Sequence, residues 1–286
     1  MGRKIIPSLP LWSNQLYPAP KKVVSNPEKP AIVYFATCIT RCMGGSKENS
    51  SISEVLLSLS AKAGIEVRIP DDLRGHCCGQ PFSSKGYHEA STIMANKTIA
   101  ALWKWTDKGI LPIVIDGSSC TYTFLNVGSF LTKENKLLFD KLKFIDITEY
   151  AADYLVPKLT IKNPKANVVL HPVCSLTKMN LNSKLTKVAQ ACSEKVTTPL
   201  NAGCCGMAGD RGFLFPELTE SATQKEKEEV LGQQYDGYYS CGKTCEMAMS
   251  ESVGKDYESI LYLSLIHISE PTRLRRISYA VFCLKK

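Results

Sequence analysis

The chain has 286 residues, of which 44% are hydrophobic and 22% are charged, a balance typical of a folded globular protein. It contains no run of eighteen apolar residues that would predict a transmembrane helix, and its Pro- and Lys-rich start lacks the apolar segment of a signal peptide. The net charge of +8 does not indicate nucleic-acid binding, because residues 263–286, with five basic residues and one acidic residue, supply half of it and no basic stripe with interleaved aromatic residues remains.

The predicted elements alternate between strand and helix along the chain, which indicates an α/β fold. Short apolar, β-rich runs predict strands, and apolar residues at helical spacing predict helices. In the first half the strands are 31–37, 65–69, 111–115 and 144–147, and the helices are 51–63, 86–107, 130–142 and 148–159. In the second half strands 166–170, 196–200 and 235–239 alternate with helices 176–192, 216–231 and 245–253. We therefore predict two pseudo-repeated halves, each a small, mainly parallel sheet flanked by helices.

Composition sets the predicted domain boundaries. Residues 1–30 contain six prolines and predict a linker or extended arm, followed by two cysteine-rich domains at 31–160 and 161–262. Residues 263–286 resemble a translated sequencing-library adapter, so we treat them as an artefact and expect the natural protein to continue past Tyr262 in its own sequence. His267 and Cys283 therefore receive no functional weight.

An adjacent pair of cysteines occurs twice, each time with a lone cysteine upstream and another downstream. The first set is Cys38, Cys77, Cys78 and Cys120; the second is Cys174, Cys204, Cys205 and Cys245, with Cys241 as an extra thiol. A secreted disulfide framework does not fit a chain without a signal peptide, and adjacent cysteines rarely bridge each other. The two sets instead predict two metal centres.

The spacing of the cysteines favours iron–sulfur clusters over zinc. Four thiolates in each half are the number that holds a [4Fe–4S] cluster, and adjacent thiolates suit a centre with several metal atoms. Zinc remains an alternative because thiolates also select it, usually through C-x₂₋₄-C knuckles. The knuckle-like pairs Cys38–Cys42 and Cys241–Cys245 lie in different halves. Most of the cysteines follow predicted strand ends, where parallel sheets bind ligands, so we expect them to converge on a face shared by the two halves.

The patterns C-x₃₈-CCG…C and C-x₂₉-CCG…C resemble the CCG cysteine-rich domain, the twofold repeat of the B subunit of heterodisulfide reductase, glycolate oxidase iron–sulfur subunits and lactate-utilisation proteins. Six short segments also resemble the C-terminal part of bacterial FAD-dependent D-lactate dehydrogenases that carry iron–sulfur clusters. They are 77–87, 95–98, 116–121, 171–174, 204–212 and 243–246. Heterodisulfide reductase has a downstream C-x-x-C, whereas this chain has Ser-Ser-Cys120 and Cys241-x₃-Cys245, so Cys42 is a candidate fifth thiol of the first set.

This resemblance implies that the chain passes electrons from a flavin towards a quinone or another respiratory acceptor. Its implied partners are a flavin-containing dehydrogenase domain or subunit and a ferredoxin-like cluster domain. The sequence has no GxGxxG motif and no compact ferredoxin run, so we expect FAD to be bound by the parent enzyme outside this chain. We expect no catalytic residue for hydride transfer here, and a cytoplasmic location with peripheral attachment to the inner face of the membrane as a variant.

Several other residues are assigned by their positions. Lys85 and Arg211 follow the two cysteine pairs at matching places and predict cations near the anionic clusters, which would raise their reduction potentials. His76 and His171 are interpreted as structural in preference to ligands or proton relays, and Cys192 as a small buried hydrophobic residue. The charged run at 217–229 predicts a solvated helix face.

Two other functions stay open at the level of sequence. One is thiol or heterodisulfide reduction at a cluster, which needs an open pocket over that cluster. The other is a zinc-stabilised interaction module with no redox role.

Overall fold

A computed structural model describes residues 16–44 and 51–266. Within these residues eight strands form two four-stranded sheets, ordered β2-β1-β3-β4 and β6-β5-β7-β8, and all six strand pairings are parallel. The strands are β1 Ile32–Phe35, β2 Val67–Arg68, β3 Ile113–Ile115, β4 Phe144–Asp146, β5 Lys165–His171, β6 Ser193–Thr197, β7 Gly237–Ser240 and β8 Tyr257–Ser259. The shared strand order confirms the predicted α/β class with two pseudo-repeated halves.

Helices connect the strands in both halves. They are α1 Cys38–Cys42, α2 Ile52–Lys62, α3 Gln80–Ser83, α4 His88–Trp105, α5 Ser118–Leu125, α6 Lys133–Phe139, α7 Ile147–Tyr150, α8 Cys174–Lys178, α9 Asn182–Cys192, α10 Arg211–Leu214, α11 Pro216–Leu231, α12 Lys243–Val253 and α13 Ile260–Ile266. A 3₁₀-helix covers Val127–Phe130, and α7 continues as a π-helix over Ala151–Leu155 and a 3₁₀-helix over Val156–Lys158. No helix in the described ranges is both long and apolar enough to span a membrane.

The two central strands of each sheet determine where the cysteine-bearing loops meet. In each sheet the first and third strands of the half lie side by side at the centre, with Phe35 opposite Ile115 in one and His171 opposite Ser240 in the other. Connections leave these two strands towards opposite sides, so a crevice opens beyond their carboxyl ends. The loops that carry the cysteines start there.

Four helices form a layer between the two sheets. α13 of the second half packs against α2 of the first, while α7 and its π-helical continuation in the first half pack against α9 of the second. The hydroxyl groups of Ser60 and Tyr150 lie 2.8 Å apart within this layer. Because each half covers the other with the segment that follows its last strand, one hydrophobic core runs through both halves.

Several elements differ from their predicted form. β8 was not predicted, because three residues are too few to show an alternating pattern. The strand predicted at 196–200 is β6, which ends before Pro199, since proline cannot donate to a sheet ladder. The helix predicted over 176–192 is divided into α8 and α9 at Asn180, whose φ of 59° is left-handed. α11 has the predicted bounds.

The two ends of the described chain extend the predicted domains. Ser25 forms an antiparallel bridge with Ile69, so the described part of the predicted arm lies against the first half. α13 runs through Ile266 and therefore includes the first residues of the predicted artefact, among them the fully buried Leu263. His267 and Cys283 lie outside the described residues.

Candidate metal centre

A cavity of about 470 Å³ lies between the two halves at the carboxyl ends of the central strands. Cysteines from both sets line it, together with buried acidic groups and two lysines. The lining cysteines are Cys38, Cys78, Cys120, Cys174, Cys204, Cys205, Cys241 and Cys245. The ninth predicted ligand, Cys77, contacts Cys38, so the structure brings the two sets to one face.

The first set contains two close sulfur pairs joined through the adjacent cysteines 77 and 78. The Sγ atoms of Cys38 and Cys77 lie 3.9 Å apart, and those of Cys78 and Cys120 lie 3.2 Å apart. Contact with Cys38 and Cys78 lowers the pKa of Cys77 to about 3, whereas Cys77 raises the pKa of Cys38 and Cys120 raises that of Cys78. The set therefore holds thiolate and thiol side by side, as expected of sulfur atoms placed to share a metal centre.

Two hydrogen-bonding residues fix the loop that carries the first pair. The guanidinium of Arg41 donates to the carbonyl oxygens of Leu73 and His76 at 2.8 and 2.6 Å. The hydroxyl of Thr98 donates to the carbonyl oxygen of Cys77 at 2.9 Å and accepts from its N–H at 3.3 Å. Sequence reasoning missed Arg41 and gave no role to Thr98, which ends the resembling segment 95–98, because neither belongs to the cysteine pattern.

The second set is split between a buried and an exposed part. Cys205 and Cys245 are buried, with their Sγ atoms 2.9 Å apart, whereas Cys174 and Cys204 are exposed. Contact with Cys245, together with His171, lowers the pKa of Cys205 to about 5, and Cys205 raises the pKa of Cys245. Partial burial raises the pKa of Cys174, and the nearby charges of Cys204 and Cys205 raise it further.

The extra thiol of the second set faces the first half. Cys241 is buried, and desolvation raises its pKa to about 12, with Asp146 as the next cause. Ser118 and Thr148 of the first half also interact with this thiol. In the strand register Asp116 holds the equivalent position in the first half. The second half therefore has a thiol where the first half has a carboxyl group.

His171 lies at the buried end of the second set. Its Nδ1 is 2.8 and 2.9 Å from the two carboxylate oxygens of Glu226, and the ligand atoms that His171, Cys205 and Cys245 offer all lie within 4.8 Å of one another. Burial lowers the pKa of His171, but Cys205 and Glu226 outweigh it and raise the pKa to about 9. Glu226 is buried, so the predicted solvated face of α11 is wrong at this position.

The remaining sequence-predicted residues have clear positions. His76 packs edge-on against Trp105 with ring centroids 5.0 Å apart, in keeping with a structural role. Cys192 is fully buried in the core, as predicted, whereas Cys42 is exposed and does not line the cavity.

The two predicted cations lie outside the cavity lining. Lys85 forms a 2.5 Å ion pair with Asp210, which joins the loops of the two halves, and Arg211 is exposed at the start of α10. The cations that line the cavity are Lys178 and Lys243. A role for Lys85 and Arg211 in setting the potential of a cluster stays a prediction.

Buried carboxyl groups line the same cavity. Burial raises the pKa of Asp116 and raises that of Glu246 to about 7. Asp116 accepts hydrogen bonds from the hydroxyl of Tyr34 and, at 2.9 Å, from the N–H of Thr37, and Glu246 lies 3.6 Å from Lys243. Both residues lie in the resembling segments 116–121 and 243–246, but sequence reasoning gave them no role, since an isolated acidic residue carries no signal of burial.

The donor groups fit a thiolate-bound metal centre. Buried sulfur atoms in contact, at Cys78–Cys120 and Cys205–Cys245, and the lowered pKa values of Cys77 and Cys205 fit the soft thiolate ligands that iron–sulfur clusters and zinc select. The imidazole Nε2 of His171 is buried and has no hydrogen-bond partner in the described structure. Both observations agree with a site built to hold metal.

Comparison with known proteins agrees with this site. The CCG cysteine-rich domain matches residues 32–125 and 168–250, one copy in each half. Lactate utilization protein A of Macrococcus caseolyticus is 23% identical over 224 residues, covering 76% of this chain and 85% of that protein. The protein of the same name from an Exiguobacterium species is 20% identical over 250 residues, covering 84% and 96%. The C subunit of the anaerobic glycerol-3-phosphate dehydrogenase of Escherichia coli is 25% identical over 144 residues, covering 48% of this chain and 35% of that protein.

Proposed function

Because this chain belongs to the CCG cysteine-rich domain family, which matches both of its halves, we propose that it transfers electrons through iron–sulfur clusters within an FAD-dependent dehydrogenase of D-lactate or a similar 2-hydroxy acid. The observation that carries the proposal is the meeting of two cysteine sets at one cavity between the halves. Similarity to lactate utilization proteins over most of the chain supports the choice of substrate class.

Each half would hold one centre, most simply a [4Fe–4S] cluster. The first would use Cys38, Cys77, Cys78 and Cys120; the second would use Cys174, Cys204, Cys205 and Cys245, with Cys241 as a further thiolate. A bound cluster accepts and releases single electrons. The chain itself supplies thiolates, releases their protons as metal binds, and keeps the ligand atoms of Cys78 and Cys245 away from water.

The proposed partners follow from the resemblance to FAD-dependent D-lactate dehydrogenases. A flavin-containing dehydrogenase domain or subunit would oxidise the hydroxy acid, and a ferredoxin-like cluster domain would connect the flavin to this chain. The electrons would leave towards a quinone or another respiratory acceptor. The many free thiols support a reducing compartment such as the cytoplasm, with peripheral attachment to the inner face of the membrane when the acceptor is a quinone.

Metal analysis of anaerobically purified protein tests this proposal. We expect about eight iron and eight sulfide per chain and an EPR signal after reduction with dithionite. Cys78→Ser and Cys205→Ser should each lose about half of the iron, whereas Cys42→Ser, a change at an exposed cysteine outside the cavity, should keep it all. Stoichiometric zinc without a reducible iron signal would instead favour the zinc-stabilised interaction module.

The open cavity also favours a second candidate, the reduction of a disulfide substrate. Its volume is within the range of small-molecule sites, and both cysteine sets line it. Two electrons and two protons would convert the disulfide into two thiols, with dithionite as the source of electrons in the assay. Anaerobic mixing of the pre-reduced protein with a small aromatic disulfide should then reoxidise the clusters and release thiols in stoichiometric amount. Clusters that stay reduced would leave electron transfer as the function.

A further inference from the structure

The second half contains a completely buried histidine with one ring nitrogen fixed and the other unpartnered. His171 lies at the carboxyl end of β5, and its solvent exposure is 0%. Nδ1 faces both carboxylate oxygens of Glu226, whereas Nε2 has no partner at hydrogen-bonding geometry in the described structure, although the ring is close enough to Cys205 for each to shift the pKa of the other. A buried, unsatisfied polar atom is costly unless something binds it.

Glu226 determines which nitrogen is available. A carboxylate accepts hydrogen bonds only, so Nδ1 must carry the proton that lies between the two groups. The raised pKa of the ring means that Nε2 also carries a proton in the metal-free chain, and a binding metal would displace that proton to expose a lone pair on Nε2. Metal-binding histidines in proteins have this arrangement, in which a carboxylate orients the ring and raises its basicity.

The ring of His171 lies close to the sulfur atoms of Cys205 and Cys245. The ligand atoms of His171, Cys205 and Cys245 all lie within 4.8 Å of one another, and all three residues are buried. Metal bonds of about 2.0–2.3 Å to nitrogen and sulfur span gaps of this order. Cys174 and Cys204 are exposed, so the histidine lies at the end of the set that water does not reach.

The first half lacks this pair of residues. The register places Phe35 in β1 at the position that His171 occupies in β5. A Cβ added to the glycine after each cysteine pair would meet Ser91 in the first half and Thr219 in the second. About two helical turns after these residues lie Thr98 and Glu226, respectively. Thr98 bonds to the backbone of Cys77 instead of a ring, so an imidazole and its carboxylate occur together in the second half alone among these equivalent positions.

We propose that His171 is a nitrogen ligand of the second metal centre, beside Cys205 and Cys245, and that Glu226 is its positioning residue. The proposal rests on the proposed function only in requiring that the second set binds metal. It makes the two centres chemically different: the first is held by thiolates, and the second includes one neutral nitrogen. The second set then offers more ligands than one cluster takes, and an imidazole bound in place of one of its thiolates raises the reduction potential, so we expect the second centre to be the stronger electron acceptor of the two.

Pulsed EPR of the dithionite-reduced full chain tests the ligand directly. Protein labelled with ¹⁵N-histidine should show a strongly coupled nitrogen, as expected for a ring bonded to the metal. His171→Cys should keep the iron content, lose that coupling and lower the reduction potential of one centre. Weak nitrogen couplings alone, as from a ring that donates a hydrogen bond to a cysteine sulfur, would overturn the proposal.

Variants of α11 test the positioning residue without removing the ring. Glu226→Gln should keep the strongly coupled nitrogen and lower the metal affinity of the second centre about 10- to 100-fold. Glu220→Gln makes the same change at an exposed site on that helix and should leave the affinity unchanged. Equal affinities of the two variants would remove Glu226 from the proposal.

Failure of this proposal and failure of the proposed function give different results. A reducible iron signal without strongly coupled nitrogen refutes the histidine ligand and leaves electron transfer standing. If the protein has no reducible iron, Co²⁺ alone is added to the metal-free chain and its visible absorption is recorded. His171→Cys should shift the bands of bound Co²⁺ if the ring is a ligand, and an unchanged spectrum would overturn the proposal.

Discussion

Gly206 turns the chain immediately after the second cysteine pair. Its φ of 75° is left-handed, and a Cβ at this position would lie 2.6 Å from the carbonyl oxygen of Leu218. Gly203 precedes the same pair without a left-handed φ, and its Cβ would meet no atom closer than 3.8 Å. The position after the pair therefore requires glycine for two independent reasons, conformation and space.

Substitution of these glycines should have unequal effects. Gly206→Ala should lower the free energy of unfolding by about 2–3 kcal/mol, because strain in the left-handed region adds to a backbone clash. Gly203→Ala should change it by less than about 0.5 kcal/mol. Urea denaturation of both variants checks the difference, and a Gly206→Ala protein as stable as the wild type would contradict the left-handed turn at this position.

Metal loading should weaken as the pH falls. The raised pKa values of Cys38, Cys78 and Cys245 mean that these thiols carry protons in the metal-free chain, and a metal must displace them. Each displaced proton weakens the apparent affinity about tenfold per pH unit lost. Titrations with Co²⁺ between about pH 8 and pH 6 should show this slope, and an affinity independent of pH would contradict it.

The sequence identified the site at the level of its cysteines because their spacing is local and repeated. It could not identify Glu226, since the residue stands in a run of Glu and Lys and only its burial against His171 distinguishes it. It could not identify the contact of Cys241 with the first half either, because that contact depends on how the two halves pack. Lys85 and Arg211 were chosen by matching positions, and position along the chain does not fix where a long side chain ends.

At the scale of elements, an acidic residue in the π-helix after α7 ties the two halves together. Asp153 accepts from Lys184 at 2.6 Å and from Lys187 at 3.2 Å, both on α9. The bond to Lys184 holds the pKa of Asp153 below its usual value. A depressed carboxyl pKa contributes stability above the pKa of the unfolded chain, and this contribution is lost as the pH falls through the folded value.

Asp153→Asn should therefore lower the free energy of unfolding by about 0.5–1 kcal/mol at neutral pH, the range for a partly exposed pair. The difference from wild type should shrink once the pH falls below about 4, where the carboxyl becomes protonated. Asp71→Asn, at an exposed aspartate, is the matched control. A difference that stays constant from neutral to acid pH would contradict the ion pair.

The sequence predicted element types better than element ends. The apolar runs of β1 and β3 and the long periodic helices α2, α4 and α11 are local patterns, and they appear where predicted. The division of the helix at Asn180 was missed because only its left-handed backbone marks the break. β8 and the short helices that start at cysteines are too brief to show a period.

On the scale of the whole molecule, the helix layer joins the two halves through one hydrophobic core, and we expect them to unfold as one unit. Leu261 of α13 is fully buried, and its helix packs on both α2 and α9. Leu261→Ala should lower the free energy of unfolding by about 2–5 kcal/mol, because a cavity remains where the side chain was. Leu137→Ala, at a side chain that is 67% exposed, is the control.

Amide hydrogen exchange identifies which helices are destabilised by this substitution. In the Leu261→Ala protein, amides of α2 in the first half and of α9 in the second should lose protection together, since both helices pack on α13. Loss confined to the second half would contradict the joint core. The boundary between domains predicted near residue 160 would then describe two independent folding units.

The reciprocal packing of α13 on α2 also imposes an order on biosynthesis. Residues 260–266 are synthesised long after α2. The first sheet therefore leaves the ribosome before α13 is present to pack on α2. The helix layer between the two sheets is complete only when that late segment has emerged. Under the proposed function, we therefore expect metal to be delivered to both cysteine sets only after this segment has been translated.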